Sequence, residues 1–505
     1  MVQRPEPVRD LDWGAERARG FVDGTADIWQ EVIEGLRDRP VARRITADQV
    51  RTAVAVPVPD APMADDDLLA YFREIALDWS MYPGHPGFMA YVSGAGTVPG
   101  SAADLLASGL NMNAGGWLLA PAATEIELHL CRWFAQEVFG MGEGAGGELT
   151  SGGAMATMIG LKLARDQRAG WDVRREGVAA GPPLGAYLST ETHVVSDRAI
   201  DTLGIGAANI RHIEVDDRRR MKVEELRTQI ALDRSAGIHP MVVVASAGTV
   251  STGAIDPLDE IADVCRDEGL WLHVDAAYGG PAMLADDLRP QFAGIERADS
   301  VAFDPHKWLY TPHSGGCILV RDMEQLAQSF DAYAAYTVQD KEATGHGTDL
   351  GKYGPNFSRG FWSLRVWASL LAHGRAAYAR RISHDAELAR YLGALVQERE
   401  DFELCAPVGL SITCFRFIPT GLVADMPDVE ARETYLSTLN QRIMTEIQLD
   451  GRVFCSNAIL DGKFTLRTCI VNFRTEAEDV ELVLEVAAEL GTAIDRDLRT
   501  EAVGA

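Results

Sequence analysis

An apolar run, an amphipathic stretch and a second apolar run follow one another in the middle of the chain, and few folds accommodate this order. Residues 241–246 and 270–275 predict buried strands, and residues 258–267 predict a helix that Gly269 ends. The same alternation extends from about residue 91 to about residue 380. It predicts an α/β fold with a mostly parallel sheet and helices on both faces, in which ligands bind at the carboxyl ends of strands.

Two ionisable residues stand where apolar runs stop. Asp275 closes the run 270–275, and Lys307 follows the run 300–303 within Asp-Pro-His-Lys-Trp. Pyridoxal 5'-phosphate (PLP) requires such a pair, because a lysine forms a Schiff base with it and a carboxylate keeps its pyridine nitrogen protonated. Alone, either residue is more often a surface lysine or a helix-capping aspartate. Together they indicate a PLP site.

A glycine turn and a histidine add groups suited to the same cofactor. Gly152 and Gly153 precede an apolar helical stretch, and the backbone amides at such a helix start bind phosphate. A short strand predicted over residues 186–193 ends at His193, whose ring can lie flat on a cofactor ring. Four separate signals in one chain therefore favour one cofactor.

The chain resembles the pyridoxal-dependent group II decarboxylases, which act on aromatic amino acids, glutamate, histidine and cysteine sulfinate. The matching segments include His-Pro-Gly-Phe-Met-Ala-Tyr at 85–91, Thr-Ser-Gly-Gly at 150–153, His-Val-Asp-Ala-Ala-Tyr-Gly-Gly at 273–280 and Asp-Pro-His-Lys-Trp at 304–308. The resemblance implies PLP fold type I, the aspartate aminotransferase-like fold. It also implies loss of the α-carboxylate of an L-amino acid as carbon dioxide.

The resemblance further implies which residues contact PLP. They would be Gly153, Ala154, His193, Thr249, Asp275, Ala277, Asp304, His306 and Lys307. His193 and Ala277 would lie on opposite faces of the ring, with Thr249 near its phenolic oxygen. Two positions depart from the family, since Ala154 stands where many members have a serine and Asp304 where some have asparagine. An acid is unfavourable beside phosphate, so the Asp304 side chain is expected to point elsewhere.

A loop over residues 333–357 determines which product is expected. Family members place there a tyrosine that returns a proton to the substrate carbon, but the two spacings known in the family lead to Leu350 or Thr348. Tyr336 and Tyr353 are the alternative donors and are therefore included among the predicted catalytic residues with Lys307, His193 and Asp275. Decarboxylation to an amine is favoured. If no tyrosine reaches the carbon, oxygen would trap it and the product would be an aldehyde, as in the family's aldehyde synthases.

The substrate side-chain pocket is predicted from the segments that line it in relatives, partly across a dimer. The residues concerned are Phe88, Tyr91, Val92, Asn113, Gly115 and Trp117. Tyr91 and Trp117 favour an aromatic or apolar side chain, Gly115 would widen the pocket, and Asn113 would admit a polar, uncharged group. These segments show no arginine that could pair with a side-chain carboxylate, which disfavours glutamate and aspartate.

Three regions are expected along the chain. Residues 1–90 form a helical segment that packs against a second subunit, residues 91–380 the large PLP-binding domain, and residues 381–505 a small α+β domain. The implied assembly is a homodimer with the active site at the subunit interface. In the last region, residues 411–417 and 466–473 predict strands. The capping box expected ahead of the last helix pairs Thr475 with Glu478.

Charge and composition exclude several partners. The net charge of −27 argues against nucleic acid and against an anionic membrane surface. No apolar run is long enough to span a bilayer, and the N-terminal residues do not resemble a signal peptide. The seven scattered cysteines suggest reduced thiols without a metal site. These features predict a cytoplasmic protein, and the resemblance implies a small amino acid as its substrate.

Overall fold

The computed structural model describes residues 5–330 and 346–504. Its N-terminal helices are α1 (Ala15–Glu34), α2 (Ala47–Val54) and α3 (Asp65–Asp78). The ion pairs Arg17–Asp65 and Arg73–Glu31, both 2.6 Å long, join α1 to α3. No residue of α1 is buried within this chain. A helix of this length with one apolar side and no buried residue needs a further surface to cover it.

The central region alternates strands with helices. Its strands are β1 (Gly146–Thr150), β2 (Leu184–Ser189), β3 (Ile210–Ile213), β4 (His239–Ser246), β5 (Trp271–Asp275), β6 (Ser300–Phe303) and β7 (Gly316–Val320). Its helices are α4 (Val98–Leu110), α5 (Pro121–Trp133), α6 (Gly153–Arg168), α7 (Val173–Glu176), α8 (Val195–Thr202), α9 (Val223–Ser235), α10 (Leu258–Glu268), α11 (Met323–Phe330), α12 (Ser363–His373) and α13 (Arg375–Glu398).

These strands form one sheet in the order β1-β7-β6-β5-β4-β2-β3. The strands from β3 to β6 run parallel, whereas β7 is antiparallel to both β6 and β1. The strands predicted at 241–246 and 270–275 are β4 and β5, with α10 between them. Gly269 ends α10 in the left-handed conformation, at φ +70°. The mostly parallel sheet predicted from the sequence is confirmed.

Helices cover both faces of this sheet, as predicted. On one face, Val243 of β4 belongs to a core that includes Ile261 of α10. On the other face, Val242 and Val244 belong to a core that includes Ile159 of α6. Successive residues of a strand point to opposite faces, so both must be apolar here. This burial explains why β4 shows an unbroken apolar run.

The small C-terminal sheet is antiparallel, in the order β10-β11-β9-β8. Its strands are β8 (Phe402–Leu404), β9 (Ile412–Phe417), β10 (Ser456–Leu460) and β11 (Lys463–Cys469). The helices of this region are α14 (Leu422–Asp425), α15 (Val429–Asp450) and α16 (Ala477–Gly504). The predicted boundary between residues 380 and 381 falls inside α13, which continues to Glu398.

Two local predictions in this region need correction. The strand expected at 466–473 is β11, which begins and ends earlier, because the chain leaves the sheet after Cys469. The predicted capping box is wrong, since the Thr475 hydroxyl donates to the Pro86 carbonyl at 2.7 Å. Asp479 instead accepts a hydrogen bond from the Glu476 amide at 3.0 Å. The threonine therefore joins α16 to the N-terminal part of the chain rather than capping the helix.

Candidate active site

A cavity of about 540 Å³ opens at the carboxyl ends of β4, β5 and β6, and β10 and β11 line its opposite side. The predicted residues that line it are Tyr91, Val92, Gly153, Ala154, His193, Thr249, Asp275, Ala277, Asp304 and Lys307. Parallel strands end at one edge of a sheet, so residues far apart in sequence meet there.

Lys307 faces two carboxylates in this cavity. Its Nζ lies 2.9 Å from Asp304 Oδ2. Burial lowers the pKa of the Lys307 ammonium, but the Asp304 and Asp275 carboxylates outweigh burial, and the pKa is raised above its ordinary value. In the state described here the lysine is therefore a cation held between two acids.

Asp275 is the last residue of β5, with β4 and β6 as its neighbours. The residue is 8% exposed, and its Oδ1 accepts a hydrogen bond from the Ala277 amide at 3.0 Å. A buried carboxylate fixed in this way can hold a protonated ring nitrogen through a charge-assisted hydrogen bond. Its place at a strand end agrees with the sequence prediction.

His193 lines the cavity, although the strand expected to deliver it stops earlier. β2 ends at Ser189, and His193 lies in the turn before α8, where its Nδ1 accepts from the Val195 amide at 3.2 Å. Burial lowers the pKa of the imidazole, while Asp275 acts in the opposite direction. A neutral, partly open ring beside Asp275 is suited to stacking on a flat aromatic group.

The start of α6 leaves little room for a side chain. A Cβ atom added to Gly153 would lie 2.7 Å from Asp304 Oδ2, so a larger residue at this position would displace the Asp304 carboxylate. No side chain caps the first turn of α6. Its first amides have no partner within a helix and can bind a phosphate. Ala154 follows in the same turn and supplies an amide but no hydroxyl.

Asp304 does not point away from the cofactor region, contrary to the sequence expectation. Its carboxylate lies between Lys307 and Gly153 because both neighbours are packed against it. His306, by contrast, is not among the residues that line the cavity, since its ring packs on His313 with centroids 4.2 Å apart. The Thr249 hydroxyl accepts a hydrogen bond from the Ala254 amide within its own turn.

Four predicted pocket residues lie outside this cavity. Phe88 stacks on Phe454 in a separate buried cluster, at 5.5 Å between ring centroids. Asn113, Gly115 and Trp117 instead contact the C-terminal part of the predicted loop and Arg359 just after it.

The segment 113–117 is joined closely to residues 349–359. Asn113 Oδ1 accepts from the Arg359 amide at 3.1 Å, and Asp349 Oδ1 accepts from the Trp117 amide at 2.9 Å. A Cβ on Gly115 would lie 1.9 Å from the Phe357 carbonyl oxygen. Gly115 is therefore required by close backbone contact, and it does not widen the cavity of this chain.

Of the two loop tyrosines predicted to donate the proton, only Tyr353 lies within the described residues. Tyr353 is 9% exposed, and it packs with the fully buried Leu350 in the core on the α6 side of the sheet. Tyr353 does not line the cavity of its own chain. Tyr336 lies outside the described residues, and its role stays a prediction.

The sequence interpretation missed Arg467 of β11, which lines the cavity and is 2% exposed. Its Nη1 donates to the Tyr91 carbonyl at 3.0 Å and to Ser456 Oγ at 3.1 Å. Its Nε and Nη2 have no hydrogen-bond partner among the described residues. A buried guanidinium with unused donors can bind a carboxylate. The sequence offered no clear signal for Arg467, because β11 (Lys-Phe-Thr-Leu-Arg-Thr-Cys) also contains a lysine and two threonines.

Comparison with known proteins identifies the family. The family model of the pyridoxal-dependent decarboxylase conserved domain matches residues 49–418. The aromatic-L-amino-acid decarboxylase of Bacillus atrophaeus is 33% identical over 481 residues, covering 95% of this chain and 96% of that protein. The chain belongs to the pyridoxal-dependent decarboxylase family. It is a PLP-dependent amino acid decarboxylase.

Two further similarities lie within this family. A phenylacetaldehyde synthase of a Rosa hybrid cultivar is 27% identical, covering 93% of this decarboxylase and 92% of that protein. The crystal structure of Oryza sativa TDC with PLP and tryptamine superimposes with a TM-score of 0.89 at 26% identity, covering 97% of this chain and 100% of that one. These similarities agree with fold type I and with PLP as the cofactor.

The cavity of this decarboxylase fits PLP in three respects. Lys307 provides an amine, Asp275 a fixed carboxylate, and the start of α6 an uncapped cradle that a Cβ would fill. Within the described residues, no helix is both long and apolar enough to cross a membrane.

Proposed function

We propose that this decarboxylase removes the α-carboxylate of an aromatic L-amino acid, giving the amine and carbon dioxide. The observation that carries the proposal is one cavity in which Lys307, Asp275 and His193 meet an arginine with unused donors. The aromatic substrate class is supported by the name of the Bacillus atrophaeus relative.

Each residue of the cofactor site has a defined task in this proposal. Lys307 binds PLP covalently, and the amides at the start of α6 hold its phosphate. Bound PLP supplies an electron sink for the pair that remains when the carboxylate leaves. Asp275 holds the proton on the pyridine nitrogen, and its buried, hydrogen-bonded position keeps it ready for this task. His193 and Ala277 line the cavity, and they would hold the cofactor ring between them and exclude water from its faces.

In this proposal, Arg467 binds the carboxylate of the substrate. Its free Nε and Nη2 are buried beside the cavity, where a bidentate contact with a carboxylate would satisfy both. The existing bonds to Tyr91 and Ser456 orient the guanidinium before substrate arrives. Such an orientation reduces the entropy lost on binding.

The side-chain pocket is apolar where it opens. Tyr91, Val92, Val250 and Ile459 line the mouth of the cavity, and Ile459 is 56% exposed. Apolar surface of this kind favours an aromatic substrate over an acidic one. Asn457 adds one polar group that could receive a ring hydroxyl.

The proposal includes a homodimer whose second subunit completes the pocket. Apolar side chains of α4 and of the turn after it are exposed, among them Leu105, Leu106, Leu110 and Leu119. The face of α1 also lacks cover within one chain. Segment 113–117 and the chain joined to it would then approach the cavity of the partner. Sedimentation showing an active monomer would contradict this assembly.

One assay tests the proposed reaction. Purified enzyme is given PLP and then a panel of aromatic, acidic and aliphatic L-amino acids, with carbon dioxide, amine and hydrogen peroxide measured together. Amine equal to carbon dioxide from an aromatic substrate is expected. Peroxide equal to carbon dioxide would support the aldehyde-forming alternative. Turnover of glutamate alone would overturn the substrate class.

The cysteines support a cytoplasmic location for this enzyme. All seven are free, and all except Cys405 are buried. Burial raises the pKa of the Cys455 thiol to about 12, so it is unreactive at neutral pH. Free thiols of this number are typical of a reducing compartment.

A further inference from the structure

Asp304 occupies the space between the proposed attachment points of the cofactor. Its Oδ2 lies 2.9 Å from Lys307 Nζ, and both of its carboxylate oxygens would lie within 3 Å of a Cβ on Gly153. Gly153 is the first residue of α6. One carboxylate therefore contacts the amine proposed to bind the aldehyde and lies close to the helix start proposed to bind the phosphate.

The backbone holds Asp304 in this place. Its amide donates to the Ala277 carbonyl at 3.1 Å, and its carbonyl accepts from the Lys307 amide at 3.0 Å. The side chain is 2% exposed, and Oδ1 has no hydrogen-bond partner among the described residues. A buried carboxylate oxygen without a donor is costly, so it indicates a function rather than a contribution to stability.

The charges around Asp304 do not favour a second anion. Lys307 is the cation that faces it, and Asp275 is a second carboxylate acting on the same lysine. His193 and His313 also face Asp304, but burial lowers the pKa of each imidazole and so disfavours its charged form. Lys307 thus already balances the charge of two carboxylates, Asp304 and Asp275, and the phosphate of PLP would add a further negative charge.

We propose that Asp304 opposes the phosphate of PLP: its carboxylate lies beside the first residue of α6, so retention of the cofactor depends on the charge at residue 304. The enzyme therefore binds PLP less tightly than an asparagine at this position would allow, and it exchanges PLP with free cofactor. This inference rests on Lys307 and α6 as the proposed attachment points.

The test compares PLP with pyridoxal, which has the same aldehyde but no phosphate. Dissociation constants of both are measured by absorbance for cofactor-free wild type and for Asp304→Asn. The ratio of the two constants isolates the phosphate, because any change at Lys307 affects both ligands alike. We expect Asp304→Asn to shift this ratio about tenfold in favour of PLP and to slow PLP dissociation by a similar factor.

The matched control is Asp299→Asn. It removes the same charge immediately before β6, where Asp299 Oδ2 accepts from the Leu272 amide at 2.8 Å. The control should leave the ratio unchanged. Asp304→Ser provides a second neutral variant if the asparagine disturbs folding, which circular dichroism would reveal.

An unchanged ratio of the two dissociation constants in both Asp304 variants would overturn the proposal. A shift of the ratio in favour of pyridoxal would also overturn it, because it would mean that Asp304 assists phosphate binding. If Lys307 and the start of α6 are not the attachment points of PLP, the experiment gives a different result. In that case wild type and variants alike would form no borohydride-stable adduct on Lys307 with either ligand.

Discussion

Arg359 donates a hydrogen bond to Glu148 Oε2 across 2.7 Å, joining the residue that follows the predicted loop to the first strand of the large sheet. Its other terminal nitrogen donates to Glu127 of α5, and all three side chains are about 1% exposed. One buried cation therefore serves two buried acids. This arrangement fixes the end of the loop to the core, and it leaves one acid short of a counter-charge.

The Arg359–Glu148 pair makes stability depend on pH. Burial raises the pKa of Glu148 to about 7, with Arg359 opposing and Glu127 reinforcing the shift. The folded state thus binds this proton more tightly than the unfolded chain. Protonated Glu148 therefore contributes to the free energy of unfolding at pH values below its ordinary pKa of 4.5, and this contribution is lost as pH rises to about 7.

Glu148→Gln should remove this dependence. Between mildly acid and mildly alkaline pH, wild type should lose on the order of 1–3 kcal/mol of unfolding free energy relative to the variant. Thermal unfolding at several pH values measures the difference. Glu143→Gln, at an exposed position just before β1, is the control and should follow wild type. Parallel curves for wild type and Glu148→Gln would show that the pKa is not raised.

Lys307→Ala should abolish turnover. Among the residues that the structure describes, Lys307 is the one lysine that lines the cavity, so no second amine of this set can bind the aldehyde. Borohydride reduction followed by mass spectrometry should find the cofactor on Lys307 in wild type and on no residue in the variant. A labelled peptide elsewhere in the chain would refute the assignment of the lysine.

Asp275→Asn should lower kcat by about 10³-fold or more while PLP binding is partly retained. The carboxylate stabilises charge that develops only as the substrate carboxylate leaves, so its loss affects the rate more than the ground state. Stopped-flow measurement of the chemical step, with bound PLP followed by absorbance, separates these effects. Asp299→Asn again serves as the control. Near-normal turnover by Asp275→Asn would exclude its role in holding the ring proton.

The sheet could be predicted because β4 and β5 are apolar on both faces and α10 is amphipathic, which are local signals. Asp275 and Lys307 could be found because each follows such a strand directly. Arg467 could not, since nothing near it in sequence shows that β11 of the small C-terminal sheet lines the cavity opposite β4, β5 and β6. The contact between Gly115 and Phe357 was hidden for the same reason, because backbone proximity across 242 residues leaves no local pattern.

Arg467→Met should lower kcat/KM by about 10- to 100-fold, mainly through KM, because a carboxylate contact is lost. Its thermal stability should fall only modestly, because the variant loses the two Nη1 bonds to Tyr91 and Ser456, whereas Nε and Nη2 have no partners to lose. Steady-state kinetics and unfolding are measured on the same preparation. The control is Arg416→Met, on β9, which breaks the ion pairs of Arg416 with Glu403 and Glu433. It should show lower stability and a normal KM. A loss of stability without a change in KM would make Arg467 structural only.

The last prediction concerns the proton returned to the substrate carbon. Leu350 cannot donate one, and Tyr353 is held in the core with it, its ring 4.8 Å from the Lys352 ammonium. We therefore expect Tyr353→Phe to keep the wild-type product. Tyr336→Phe should shift the product from amine towards aldehyde, ammonia and peroxide, because a phenol over a water-poor site is the expected donor. Amine and peroxide, measured against carbon dioxide for wild type and both variants, decide the matter. Amine from all three would assign the proton to His193 or water, whereas peroxide equal to carbon dioxide in wild type would mean that no loop tyrosine acts.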